Sequence, residues 1–134
     1  MQLKVNMSPG ALRFLFLVIF LFFSFSIKTE PIAGKTVVLQ ILDKITTKVK
    51  TFEVAVNDKV IFESLNIEIY ACHANPPEET PEDFVLLKIF DNINIENSEL
   101  IYQGWMISSS PAATPLEHPI YDLWLKDCKI DTDF

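Results

Sequence analysis

The chain has 134 residues, 49% of them hydrophobic and 22% charged, with a formal net charge of −7 at pH 7. That acidic balance repels phosphate backbones and anionic lipid headgroups, which excludes nucleic acid as a partner and a polybasic hold on a membrane surface.

The first element is an export signal. Lys4 and Arg13 precede an unbroken apolar run over 14–23, and Ser24-Phe25-Ser26 follows before charged, proline-containing sequence. A basic start, a short apolar middle and small residues at a cut site make a secretory signal peptide over 1–26. A start at Met7 would shorten the basic region and leave this reading unchanged. The rival is an uncleaved inner-membrane anchor. It would have about seventeen apolar residues, the short end of the range for a spanning helix, with Arg13 inside them. No cysteine follows the run, so lipoprotein-type attachment there is excluded. Cleavage leaves about 108 residues, the size of one domain. Nine basic residues then stand against eighteen acidic ones.

Residues 27–35 form an expected flexible lead-in, and 36–134 a single β domain. Strands are predicted over 36–45, 48–56, 59–62, 65–73, 84–91, 100–107 and 120–130, with almost no helical period between them. In the second, Phe52, Val54 and Val56 share one face and Thr51, Glu53 and Ala55 the other. Asn57-Asp58 reads as a hairpin turn, and Glu63-Ser64 as a further turn. In the next strand, Ile67, Ile69 and Ala71 oppose Glu68, Tyr70 and Cys72. Pro76, Pro77 and Pro81 hold the following stretch extended. A polar turn spans 92–98, and an irregular connection with three prolines spans 108–119. The fold class expected is all-β, a small antiparallel sandwich or barrel-like domain of about six to eight strands. A membrane barrel, despite the terminal Phe134, would need about eight strands of ten residues and leave no room for these loops.

Cys72 and Cys128 are expected to form a structural disulfide, because export places them where disulfides persist. It would close a loop of about 57 residues, worth roughly 4 kcal/mol by the chain-entropy argument. No CxxC spacing points to a redox pair. Cys72, His73, His118 and Cys128 make a nominal zinc inventory, yet neighbours on a strand point to opposite faces, so no metal is expected. Glu78, Glu79, Glu82 and Asp83 lack the glycine turn of a calcium loop and read as a solvated acidic stretch. Ser108, Ser109 and Ser110 with His118 and Asp122 contain the residue types of a hydrolase triad but no nucleophile elbow. Here His118 and Glu117 are expected to fasten their loop to the sheet. Trp105, Tyr121 and Trp124 read first as packing; displayed together, they would anchor a partner.

Two blocks look specific. Gly104-Trp105-Met106-Ile107-Ser108-Ser109-Ser110-Pro111-Ala112, Leu116-Glu117-His118-Pro119-Ile120-Tyr121-Asp122-Leu123-Trp124 and Asp127-Cys128 form one; Ala71-Cys72-His73 with Pro76-Pro77-Glu78-Glu79 forms the other. Together they resemble a bacterial family of small secreted, mainly alphaproteobacterial proteins classed as a domain of unknown function (DUF2155), over about 40–129. The family's pattern has basic residues between the His and the first Pro, where Ala74-Asn75 stand here. The resemblance implies a periplasmic domain and supplies no catalytic residue. The expectation is therefore a non-enzymatic binding or scaffolding module of the cell envelope, without cofactor, whose partner is another envelope protein; the alternatives are a small hydrolase using a loop serine with His118 and Asp122, or a purely structural envelope protein. Its surface would draw on His73, Pro76, Pro77, Glu78, Glu79, Trp105, Glu117, His118, Tyr121 and Trp124, with His73, Glu117 and His118 near the middle of one face.

Overall fold

The computed structural model describes residues 8–10, 13–14, 17–18, 29–94 and 97–130. The expected signal segment falls largely outside the described residues, as does Phe134. Among those described, no helix is long and apolar enough to cross a membrane.

The fold is all-β, and the described residues form eight antiparallel strands in two sheets. Five strands make the larger sheet: β1 (Ile32–Ala33), β4 (Lys59–Phe62), β5 (Leu65–Ala74), β6 (Asp83–Asn94) and β7 (Asn97–Ile107). The smaller sheet has β2 (Thr36–Asp43) at its centre, flanked by β3 (Lys48–Ala55) and β8 (Tyr121–Lys129). β4 and β1 share one edge of β5, the first pairing Lys59 with Glu68 and the second Ala33 with His73. The two inner faces supply one apolar core, with Val37, Leu39 and Ile41 from β2 meeting Ile67, Ile69, Val85, Leu87 and Ile89. Each such side chain, taken fully from water, contributes about 1.5–3 kcal/mol.

Three expectations change. Residues 27–35 are not all irregular: Ile32 and Ala33 pair with β5, and Gly34 N donates to the Cys72 carbonyl at 2.8 Å. Asn57-Asp58 is not a hairpin turn, because β3 and β4 lie in different sheets. Asn57 adopts φ 67°, a left-handed value that Asn tolerates, and turns the chain from the smaller sheet to the larger. The polar stretch 92–98 is mostly strand, with Asn94 opposite Asn97. Ladder pairing uses backbone groups alone, so Asn and Ser can extend the pairing of β6 with β7 beyond the apolar positions.

The alternation expected in β5 also fails, at one residue. Tyr70 is supernumerary opposite β6: Ile69 pairs with Leu87 and Ala71 with Leu86. A bulge of this kind shifts the side-chain parity. Cys72 therefore joins Ile67 and Ile69 inside, while Ala71 turns outward. β8 does the same at Lys126, since Leu125 pairs with Leu39 but Asp127 with Val38. Cys128 is thereby brought inward too. The two bulges aim both sulfurs at the gap between the sheets, and Cys72 and Cys128 are disulfide-bonded with Cα atoms 5.9 Å apart.

The chain passes from β1 to β2 directly over this bond. An added Cβ at Gly34 would overlap Cys128 Sγ and lie 2.8 Å from the Lys129 carbonyl oxygen and 3.0 Å from Cys72 Sγ. Only glycine leaves room for that crossing.

Residues 108–119 are largely exposed but are pinned to the core by two inward side chains. A 3₁₀ turn at Pro111–Ala113 is followed by an extended segment in which Leu116 and His118 point inward and Glu117 outward. Leu116 extends the core.

Candidate functional site

Outward-facing residues of the larger sheet form rows fixed by its register. His73, Phe84 and Ile107 stand in one row, Ala71, Leu86 and Trp105 in the next, and Glu68, Lys88 and Gln103 beyond them. Two adjacent rows are therefore apolar or aromatic on a face turned to solvent. Trp105 is 43% exposed there. Its ring lies 5.7 Å from that of His73, the planes tilted by 52°. Tyr102 Oη donates to the Trp105 carbonyl at 3.0 Å, which ties down the backbone under the indole. A cleft of about 390 Å³ opens between these rings and the start of the chain's paired region, lined by Glu30, Pro31, His73, Phe84 and Trp105.

The 75–82 loop stands beside this cleft, since it leaves β5 after His73 and returns before Phe84. Pro77, Glu78 and Glu79 are exposed, while Pro76 is buried. Glu82 clamps the loop to the end of β7, accepting from Ser108 Oγ at 3.0 Å, Ser109 N at 2.9 Å and Ser109 Oγ. Burial pushes the Glu82 carboxyl up, but these hydrogen bonds outweigh it and hold it below the usual carboxylate range. Asp83 moves the other way, raised by burial and then by the nearby Asp127.

His118 lies elsewhere. Its ring sits beside Asp91, seven positions along β6 from Phe84 and roughly 23 Å away at the rise of a strand. His118 and Tyr121 are both buried, so neither belongs to a displayed surface, and the single face centred on His73, Glu117 and His118 does not exist. His118 Nδ1 accepts from Ile120 N at 3.2 Å and Tyr121 N at 3.1 Å. Nε2 must then carry the proton and donate to Asp91 Oδ2, 3.1 Å away. The imidazole also stacks on Tyr121 with centroids 5.2 Å apart. Lys44 Nζ completes the fastening, donating to the His118 carbonyl at 2.6 Å and to Asp122 at 3.0 Å. A buried ring with both nitrogens engaged is a structural clasp. Trp124, on the outer side of the smaller sheet, is half-buried and donates to Gln40 Oε1 at 3.0 Å. Glu117 is exposed but remote from Trp105.

The hydrolase constellation is not assembled. Ser108 and Ser109 bind Glu82, His118 binds Asp91 and backbone amides, and Asp122 binds Lys44. Both cysteines of the nominal zinc set are in the disulfide. Among the described residues, no three His, Cys, Asp or Glu side chains stand together as a metal set.

Of the expected surface, the structure brings together His73, Trp105 and the Pro77, Glu78, Glu79 loop. It adds Glu30, Pro31 and Phe84, which sequence reasoning missed. Phe84 belongs to a nearly continuous apolar strand, so no alternation marks it as outward. Glu30 and Pro31 fall in the supposed lead-in, whose pairing depends on β5.

Comparison with known proteins agrees with the resemblance noted in the two blocks. An uncharacterised protein of Rickettsia prowazekii (strain Madrid E) is 31% identical over 87 residues, which cover 65% of this chain. The matched region spans only 56% of that relative's length. No solved structure matches the chain. The family model described as "Uncharacterized protein conserved in bacteria (DUF2155)" matches residues 37–128, from the start of β2 to the second cysteine, and the chain belongs to that family.

Proposed function

We propose that this protein is an exported, periplasmic, non-enzymatic binding module that docks another cell-envelope protein on the outer face of its five-stranded sheet. The observation that carries this reading is Trp105, large, 43% exposed and held on a strand rather than a loop beside the His73 ring. An exposed tryptophan over an apolar row is costly to leave in water and is the type of residue that dominates interface energetics. The disulfide suits an oxidising compartment, which supports export. The basic and apolar start of the chain supports it further.

The test is crosslinking in intact cells before lysis, comparing the wild-type chain with Trp105→Ala. A discrete crosslinked complex that Trp105→Ala abolishes, while the disulfide still forms, is the expected result. Identical crosslinking patterns from both chains would remove the docking role from this face.

A further inference from the structure

The fold covers two of its aromatic rings, partly buried Phe62 and exposed Tyr70, with its own lysines. Lys50 Nζ stands 5.2 Å from the Phe62 centroid, and Lys88 Nζ 5.3 Å from that of Tyr70. Tyr70 Oη in turn donates to Glu68 at 2.8 Å, so cation, ring and carboxylate form one set on the larger sheet. Trp105, the residue type with the strongest attraction for cations, has no cation over it among the described residues. Its cleft is nevertheless lined by the residues that carry the other two parts of such a set, Trp105 and the acidic Glu30. Among the described residues, the carboxylates of Glu30, Glu78 and Glu79 have no hydrogen-bond or ion-pair partner. Three free carboxylates thus sit in or beside an aromatic cleft on a chain of net charge −7.

We infer that this cleft receives an arginine side chain carried on a basic peptide segment of the partner protein. The inference rests on the docking reading above and specifies what docks. A guanidinium plane can stack on the Trp105 indole while its N–H groups reach the Glu30 carboxylate. An ammonium is a point charge that keeps more of its water and cannot stack flat, so lysine fits less well. Glu78 and Glu79 raise the local concentration of a basic segment before contact. A nucleic acid or an anionic lipid surface would meet repulsion at the same place.

The test uses the full-length chain in neutral detergent with fluorescein-labelled hexa-arginine, hexalysine and hexacitrulline, read by anisotropy. Citrulline keeps the shape of arginine and removes its charge. Hexa-arginine should bind more tightly than hexalysine, and hexacitrulline least. Trp105→Ala should weaken hexa-arginine binding roughly three- to thirtyfold, Trp105→Phe less, and Trp124→Phe not at all. Glu30→Gln should narrow the difference between hexa-arginine and hexacitrulline. Equal binding of hexa-arginine and hexalysine, or of hexa-arginine and hexacitrulline, overturns the proposal, as does hexa-arginine binding indifferent to Trp105→Ala. If the crosslinked complex in cells still depends on Trp105 in that case, the docking face stands and only the cationic occupant falls. If the complex is indifferent to Trp105 as well, both fall.

Discussion

Gly34 and His118 show how single residues set the limits of this fold. At Gly34 the backbone lies against both sulfurs of the disulfide, and a methyl group there has nowhere to go. Gly34→Ala should cost about 1–3 kcal/mol in urea unfolding, the range for overpacking a tight site. In a background lacking both sulfurs the penalty should shrink, since only the Lys129 carbonyl still crowds the new atom. His118→Ala strands Asp91 and two backbone amides in a buried place. About 2–4 kcal/mol should be lost. Acid sensitivity follows from the same groups. Burial raises the Asp91 carboxyl, but hydrogen bonds from His118 and Ser64 outweigh it, so the folded value lies below the unfolded one. Stability from Asp91, like that from Glu82, is therefore complete above about pH 4 and lost as pH falls through the folded values. Asp83, raised by burial and Asp127, works in the opposite sense and offsets part of that slope. Asp91→Asn should flatten the fall in urea midpoint between neutral and acid pH; an unchanged slope would mean that other carboxylates govern it.

At the scale of elements, the supernumerary residues Tyr70 and Lys126 decide where the cysteines point. An uninterrupted period of two from Ile69 or Leu125 would have aimed both thiols at solvent. Deleting Lys126 keeps Cys128 opposite Val37 and removes the need for the bulge, so the disulfide should still form. Deleting Lys126 and Asp127 together places Cys128 directly after Leu125, opposite Val38 and outward, and should leave two thiols reactive to a thiol-titrating reagent under oxidising conditions. Disulfide formation in the double-deletion variant would show that the parity argument is wrong. Neither bulge was legible in the sequence. Glu68-Ile69-Tyr70-Ala71-Cys72 alternates acceptably in either phase, and the irregular phase prevails because it buries a cysteine against the opposite sheet.

At the scale of the molecule, the disulfide joins β5 of one sheet to β8 of the other across a sequence separation of 56 residues. Replacing both cysteines by alanine should lower unfolding stability by about 4 kcal/mol. That is a large part of the 5–15 kcal/mol typical of a domain. The loss should appear as a lower urea midpoint with the β-rich circular dichroism spectrum retained at low denaturant. A midpoint equal to wild type would mean that the core and the His118 clasp alone hold the sheets together.

The strand-rich class, most strand positions, the alternation in β3 and the cysteine pairing were readable in the chain itself, because each depends on local period, composition or the number of thiols. The tertiary structure alone decided which sheet each strand joined, and so whether Asn57 turned a hairpin or crossed between layers. It also set the side-chain parity after each bulge and separated His73 from His118 along β6. Those outcomes depend on contacts between residues far apart in sequence, such as Val38 with Asp127 and His118 with Asp91. The pairing energy there is supplied by a partner strand or side chain that no local pattern encodes.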